Sequence, residues 1–255
     1  DWLNRHGEQA DRDSYQRLRQ RGEGLVVHLS TSQAKDGAWD WSGTRRFVSS
    51  AETSARAMHA LGMASEIGFS VTPSVIQKGV DFLRQRFTET SQDQLERKAI
   101  VSHALAWNDA GDFGALNRLH RLRNSLSPAA LAYTGLALNK MNRKSMAKEV
   151  AAVLMPHIAA QGQCSVVGNQ AWSRSSLETS ALASLLLQQT DPSSADGRRL
   201  MDSLLEIRPW RDGKGRGIAI AAVSQWLGKT QWKVDPFDVE VTINGNTMLM
   251  ELGGD

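Results

Sequence analysis

The chain lacks most of the features that mark disulfide-bonded, membrane-spanning or nucleic-acid-binding proteins. Its single cysteine, Cys164, excludes an intrachain disulfide. No apolar run reaches the ~18 residues of a membrane helix, so we expect no direct membrane insertion. The 30 basic and 27 acidic side chains leave a net charge of only +3, so we expect no nucleic-acid partner.

Candidate metal ligands are also sparse. The six histidines are scattered along the chain, without the spacing of a metal site: His6, His28, His59, His103, His120 and His157. A zinc site that needs a thiolate would have only Cys164, and no aspartate-rich motif occurs. We therefore expect no metal and no cofactor. Because the sequence begins at Asp1 and not at methionine, we expect a fragment or a processed product without its targeting segment.

One seven-residue phrase occurs twice. Ser49–Ala55 (SSAETSA) returns as Ser175–Ala181 (SSLETSA). Each copy follows a tryptophan-bearing loop, with Trp39 and Trp41 before the first copy and Trp172 before the second. Each copy then leads into a helix of small apolar residues. A helix start that recurs in this way indicates a repeat architecture.

The apolar residues have helical spacing along nearly the whole chain. The predicted helices span residues 12–33, 47–66, 73–87, 93–110, 114–124, 128–141, 144–160, 175–189, 194–207 and 216–227. Helices rich in small residues and poor in charge alternate with amphipathic ones that carry lysine or arginine on one side. Because a helix that is apolar all round must be covered on every side, the alternation predicts an all-α fold with two concentric layers.

The C-terminal tail has a different pattern. Residues 237–243 alternate with period two, Asn244-Gly245-Asn246 is a turn signal, and residues 247–252 are placed to pair back as a hairpin. A short hairpin is marginal in isolation. We therefore interpret residues 1–233 as one helical domain and residues 234–255 as the first strands of a following β domain.

Five segments together resemble the thioester-containing domain of the alpha-2-macroglobulin and complement family. They are Asp36–Trp39, Thr53–Met58, Leu131–Leu138, Leu177–Leu186 and Gly213–Val223. The resemblance covers about residues 12–250 and implies an α/α toroid of alternating inner and outer helices, followed by a β domain. It also implies that the first toroid helices lie outside this chain.

The resemblance further implies a fragment of a bacterial, alpha-macroglobulin-like protein that inhibits proteases by trapping them or acts in defence. Its partners would be target proteases and the other domains of its own parent chain. Its location would be periplasmic, cell-surface or secreted. We expect no enzymatic activity and no catalytic residue.

The covalent chemistry of that family depends on a Cys-Gly-Glu-Gln motif, which forms an internal thioester. Here Gly7, Glu8 and Gln9 follow His6, and an imidazole cannot form a thioester, so this is only a degenerate candidate. At Cys164 the order of glutamine and cysteine is reversed. We expect no thioester in these residues, and a working motif, if present, upstream of the first residue.

Two further readings stay open. In a carbohydrate-active toroid, a lyase or hydrolase, Glu52 and Glu178 would be paired carboxylates, with Trp39, Trp41 and Trp172 stacking on sugars. In a non-catalytic interaction scaffold, grooves of the toroid would bind neighbouring domains. The capping-box spacing of the repeat offers a simpler role, in which Glu52 and Glu178 satisfy free amides at helix starts and the tryptophans anchor loops.

Overall fold

The computed structural model of the chain describes residues 12–40, 50–167, 175–207, 213, 215–229, 237–243 and 246–252. Ten α-helices lie within this part: α1 (Arg12–Ser32), α2 (Ala51–Glu66), α3 (Pro73–Glu89), α4 (Leu95–Trp107), α5 (Phe113–Arg121), α6 (Pro128–Lys140), α7 (Lys144–Leu154), α8 (Ser176–Thr190), α9 (Ala195–Glu206) and α10 (Arg216–Lys229). Short 3₁₀ turns follow α5 at Arg123–Ser125 and α7 at Met155–His157.

The helices form the two layers that the sequence predicts. In the inner layer α2 packs on α4, α4 on α6, α6 on α8, and α8 on α10. The outer helices α3, α5, α7 and α9 each pack against the inner helices that flank them in sequence. Residues 129–138 of α6 are buried on every side. The fold is therefore an all-α, α/α toroid, and the predicted alternation of inner and outer helices is confirmed.

Small residues let the inner helices approach closely. A Cβ atom on Gly135 of α6 would lie 2.6 Å from Leu186 Cδ2 of α8, so the leucine side chain would have to move. The glycine therefore lets α6 and α8 pack closely.

The predicted helices 93–110 and 144–160 exceed the observed α4 and α7 by the most residues, and local chemistry explains both differences. The α4 helix ends at Trp107 because the Asn108 side chain caps it, donating from Nδ2 to Ala104 O at 2.8 Å, and Asp109 then takes a positive φ of 54°. The α7 helix ends at Leu154, shortly before Pro156, which has no N–H to continue the helical ladder.

The tail forms the predicted hairpin. Strand β1 (Phe237–Ile243) pairs antiparallel with β2 (Asn246–Leu252), with Phe237 opposite Leu252 and Ile243 opposite Asn246. The domain boundary after residue 233 remains a prediction. Within the described residues, no helix is both long and apolar enough to cross a membrane.

Candidate functional site

Glu178 is the centre of a buried polar cluster that joins three inner helices. It lies in the first turn of α8 and is 1% exposed. Its Oε1 accepts hydrogen bonds from Arg56 Nη2 of α2 at 2.7 Å and from Tyr133 Oη of α6 at 2.8 Å. Its Oε2 accepts from the same guanidinium nitrogen at 3.0 Å. Glu178 therefore links side chains that lie far apart in sequence.

The surroundings of this cluster keep Tyr133 neutral and Arg56 charged. Burial and the nearby Glu178 carboxylate raise the pKa of Tyr133 well above its ordinary value, so the phenol stays protonated and donates. Burial alone would lower the pKa of Arg56, but the Glu178 carboxylate, which accepts its hydrogen bonds, outweighs burial and that pKa is raised. The guanidinium is therefore charged at any physiological pH.

Glu52, the equivalent residue in the first copy of the repeat, also binds an arginine. It is buried in the first turn of α2, and its Oε1 accepts from Arg97 Nε at 2.7 Å. Arg97 also donates to Gln94 Oε1 at 2.7 Å, beside the start of α4. Both glutamates of the repeat thus connect inner helices to one another.

Serines supply a capping acceptor at each of the two helix starts. Ser50 Oγ accepts from Thr53 N at 3.0 Å, and Ser175 Oγ accepts from Glu178 N at 3.1 Å. Glu52 and Glu178 both lie in the first turn of an inner helix, as the capping interpretation requires, and that interpretation stays a prediction. Their carboxylates also bind arginines on other helices. The two copies also differ, since the cap is the second serine of the first copy and the first serine of the second.

This arrangement suits a structural role better than acid catalysis. A glycosidase acid needs a carboxyl group placed to donate a proton to the leaving oxygen. Glu52 is instead held by Arg97 and Glu178 by Arg56 and Tyr133. The carbohydrate-cleaving role therefore stays a prediction that these contacts do not favour.

Trp39 is a buried loop anchor. It is 2% exposed, and its Nε1 donates to Leu29 O of α1 at 2.8 Å. Its backbone N donates to Ser54 Oγ of α2 at 2.9 Å. The side chain is therefore covered by protein and is not displayed for stacking on a ligand. Trp41, Trp172 and the four residues His6–Gln9 lie outside the described residues.

The internal repeat extends beyond the seven-residue phrase that occurs twice in the sequence. Cys164 N donates to Ser180 Oγ at 2.9 Å, just as Trp39 N donates to Ser54 Oγ. Two residues before each of these donors is a glycine with positive φ, +89° at Gly37 and +76° at Gly162. Sequence reasoning missed this equivalence because it pairs a tryptophan with a cysteine, although the two glycines give a signal.

Both glycines are required by their surroundings. A Cβ on Gly37 would collide with the carbonyl oxygen of Lys78 in α3, and a Cβ on Gly162 would collide with that of Arg199 in α9. Each loop therefore packs directly on the backbone of an outer helix before it enters an inner one.

The Cys164 thiol is poorly suited to nucleophilic chemistry. The residue is buried, and burial raises the pKa of its thiol to about 12, although the Ser180 hydroxyl partly offsets this. The thiolate is the reactive form of cysteine, and it is scarce at neutral pH under these conditions. The sequence-based expectation that Cys164 carries no covalent chemistry is consistent with this geometry.

A cluster of rings lies beside Tyr133. The ring centroids of His59 and His103 are 4.4 Å apart, and those of His103 and Tyr133 are 5.1 Å apart. Trp107 Nε1 donates to His103 Nε2 at 3.1 Å. Burial, with the charge of Lys140, lowers the pKa of His59 to about 4, and burial holds the pKa of His103 well below 6.5. Both imidazoles are therefore neutral at pH 7.

Sequence spacing does not reveal this pair, because the two histidines lie on different inner helices. Across the described part of the chain, no three His, Cys, Asp or Glu side chains are grouped so that they could hold a metal ion.

The sequence matches no protein-family profile and no curated protein. Solved structures do share its fold. Native alpha-2-macroglobulin from Escherichia coli, spanning domain MG7 to the C-terminus, aligns with a TM-score of 0.64 and 17% identity over 92% of this chain. Salmonella alpha-2-macroglobulin reacted with methylamine aligns with a TM-score of 0.63 and 18% identity over 87%. The trypsin-activated E. coli protein aligns at 0.61 and 17% over 89%.

The alignments cover only 38%, 15% and 16% of those three proteins, respectively. The chain therefore has the fold of one part of bacterial alpha-2-macroglobulins. The fold that the sequence resemblance implies is confirmed.

Proposed function

We propose that this chain is the thioester-domain-like toroid of an alpha-macroglobulin-like protein that inhibits proteases by trapping them. The observation that carries the proposal is the fold likeness to bacterial alpha-2-macroglobulins, with a TM-score of 0.64 over 92% of the chain. Two of the similar structures are of E. coli alpha-2-macroglobulin after activation by trypsin and by porcine elastase. This supports proteases as the class of partner.

In this proposal the toroid is a rigid, non-catalytic domain of a larger chain. The Glu178, Arg56 and Tyr133 cluster fixes three inner helices relative to one another. Cys164 is the single cysteine, it is buried, and it is not followed by Glu-Gln. The toroid would therefore take part in trapping a protease without forming a covalent bond to it. The partners are the protease and the other domains of the parent chain, in a periplasmic, cell-surface or secreted setting.

The test uses the natural protein that contains this chain, mixed with trypsin or elastase. A trapped protease should still cleave a small chromogenic peptide but lose activity on a large protein substrate, since only the small substrate reaches its enclosed active site. Protease whose active-site serine is blocked serves as the control and should not be retained. Equal loss on both substrates, or retention of the blocked protease, would instead indicate an ordinary inhibitor or a binding scaffold.

A further inference from the structure

A cleft opens between α3, α4 and α5, away from the Glu178 cluster. Its volume is about 530 Å³, which lies in the range of small-molecule sites. Residues from all three helices line it, among them Arg84, Phe87, Ser102, Leu105 and Phe113. The cleft is thus large enough for a compound of one or two rings.

Ser102 gives the cleft an unmet hydrogen-bonding group. The residue is 4% exposed, and its hydroxyl has no hydrogen-bond partner in the structure. Leaving a buried polar group unpaired is unfavourable. A ligand oxygen placed beside Ser102 would accept a hydrogen bond from its hydroxyl and remove part of that penalty.

The walls combine aromatic rings with positive charge. Phe87 and Phe113 line the cleft, and a cation lies over each ring: Lys98 Nζ at 4.3 Å from the Phe87 centroid and Arg143 Cζ at 4.6 Å from that of Phe113. Arg84 lines the cleft directly. The site therefore has apolar surfaces for a ring and surplus positive charge beside them.

The carboxylate that lines the cleft, Asp112, has a structural task. Its Oδ1 accepts from Gly114 N at 2.7 Å and from Ala115 N at 3.3 Å, capping α5. The positive end of the α5 helix offsets part of this negative charge. Arg84 lines the cleft, and Lys98 and Arg143 lie over its two rings, so these charges favour an anion over a cation.

We propose that this cleft binds a small molecule with a ring-sized apolar body and a single carboxylate. The ring lies between Phe87 and Phe113, the carboxylate faces Arg84, and the Ser102 hydroxyl donates to a ligand oxygen. This site is independent of protease trapping and goes beyond it.

Three compounds with the same phenyl body test the charge preference: 3-phenylpropionate, 3-phenylpropan-1-ol and 3-phenylpropylamine. Each is titrated into the ¹⁵N-labelled 255-residue chain, and amide shifts are followed. The expected result is saturable binding of the carboxylate at amides of α3, α4 and α5, at least about tenfold tighter than the amine. Equal affinities for the three compounds, shifts at another surface, or no saturable shift would overturn the proposal.

Two variants test the assigned contacts. Arg84→Gln should remove most of the preference for the carboxylate over the alcohol, whereas Arg86→Gln, on the same helix and paired with Glu89, should leave it unchanged. Ser102→Ala should weaken carboxylate binding about three- to tenfold, the size of one lost hydrogen bond, without lowering the melting temperature. Unchanged binding in Arg84→Gln would overturn the proposal even if Ser102→Ala failed to fold.

Discussion

Replacing Glu178 with alanine removes a carboxylate that binds both Arg56 and Tyr133. The side chain of Glu178 is 2% exposed and that of Arg56 is 29% exposed, so the substitution leaves a largely buried guanidinium without this partner. It also removes the Glu178 acceptor of the Tyr133 hydroxyl, which lies inside the core. The perturbation therefore acts on α2 and α6 as well as on α8.

Removal of one partner from a buried ion pair costs about 3–5 kcal/mol. Because the Arg56 side chain reaches solvent in part, we expect a loss of about 3 kcal/mol, the lower end of that range. A lost helix cap alone would cost only about 0.5–2 kcal/mol. For a chain of this length, about 3 kcal/mol lowers the melting temperature by roughly 6–12 °C.

Urea unfolding followed by circular dichroism measures this difference. Glu89→Ala is the matched control, since Glu89 forms an exposed ion pair with Arg86 on α3 and should cost less than about 1 kcal/mol. Glu178→Gln, which keeps the shape of the side chain and an acceptor for Tyr133, should cost less than Glu178→Ala. If Glu178→Ala and Glu89→Ala are equally stable, the cluster does not hold the inner helices together and the structural argument fails.

Three further predictions concern other parts of the chain. His59 is neutral when folded, with a pKa of about 4, so the unfolded chain binds more protons below pH ~6.5. Stability should therefore fall as the pH drops towards 4, His59 alone contributing about 2 kcal/mol between pH 7 and pH 5, and His59→Gln should reduce that slope in urea titrations. Cys164 should react with a thiol reagent at pH 8 only as fast as the chain unfolds, and fast labelling of the native chain would contradict its burial. Deletion of residues 236–255 should leave helical content and cooperative unfolding largely intact while reducing concentration-dependent association, and loss of the helices would move the domain boundary.

The alternation of small-residue and amphipathic helices was enough to predict the layered fold. Burial over a whole helix, as in residues 129–138 of α6, follows directly from composition. Helix ends were less predictable where a side chain decides them, as Asn108 does for α4. The α4 helix ends where the Asn108 side chain bonds back to a carbonyl of the same helix. The spacing of apolar residues does not predict such a bond.

The candidate site was predictable in position but not in chemistry. The repeat placed Glu52 and Glu178 correctly at the starts of two inner helices. Their arginine partners, Arg97 and Arg56, were not predictable, because the contacts join residues 45 and 122 positions apart. The matching roles of Trp39 and Cys164 were also not predictable from the sequence. Their backbone amides make the equivalent hydrogen bonds, and their side chains differ.

The most direct test of the central claim compares native and denaturing separation of a protease mixture with the natural protein that contains this chain. Trapping without a covalent bond from these residues predicts that the protease co-migrates with the protein on a native gel. In denaturing detergent, no protease should remain linked to any residue of this chain. Absence of native co-migration would contradict trapping, and a cross-link mapped by mass spectrometry within these 255 residues would contradict the non-covalent role assigned to the toroid.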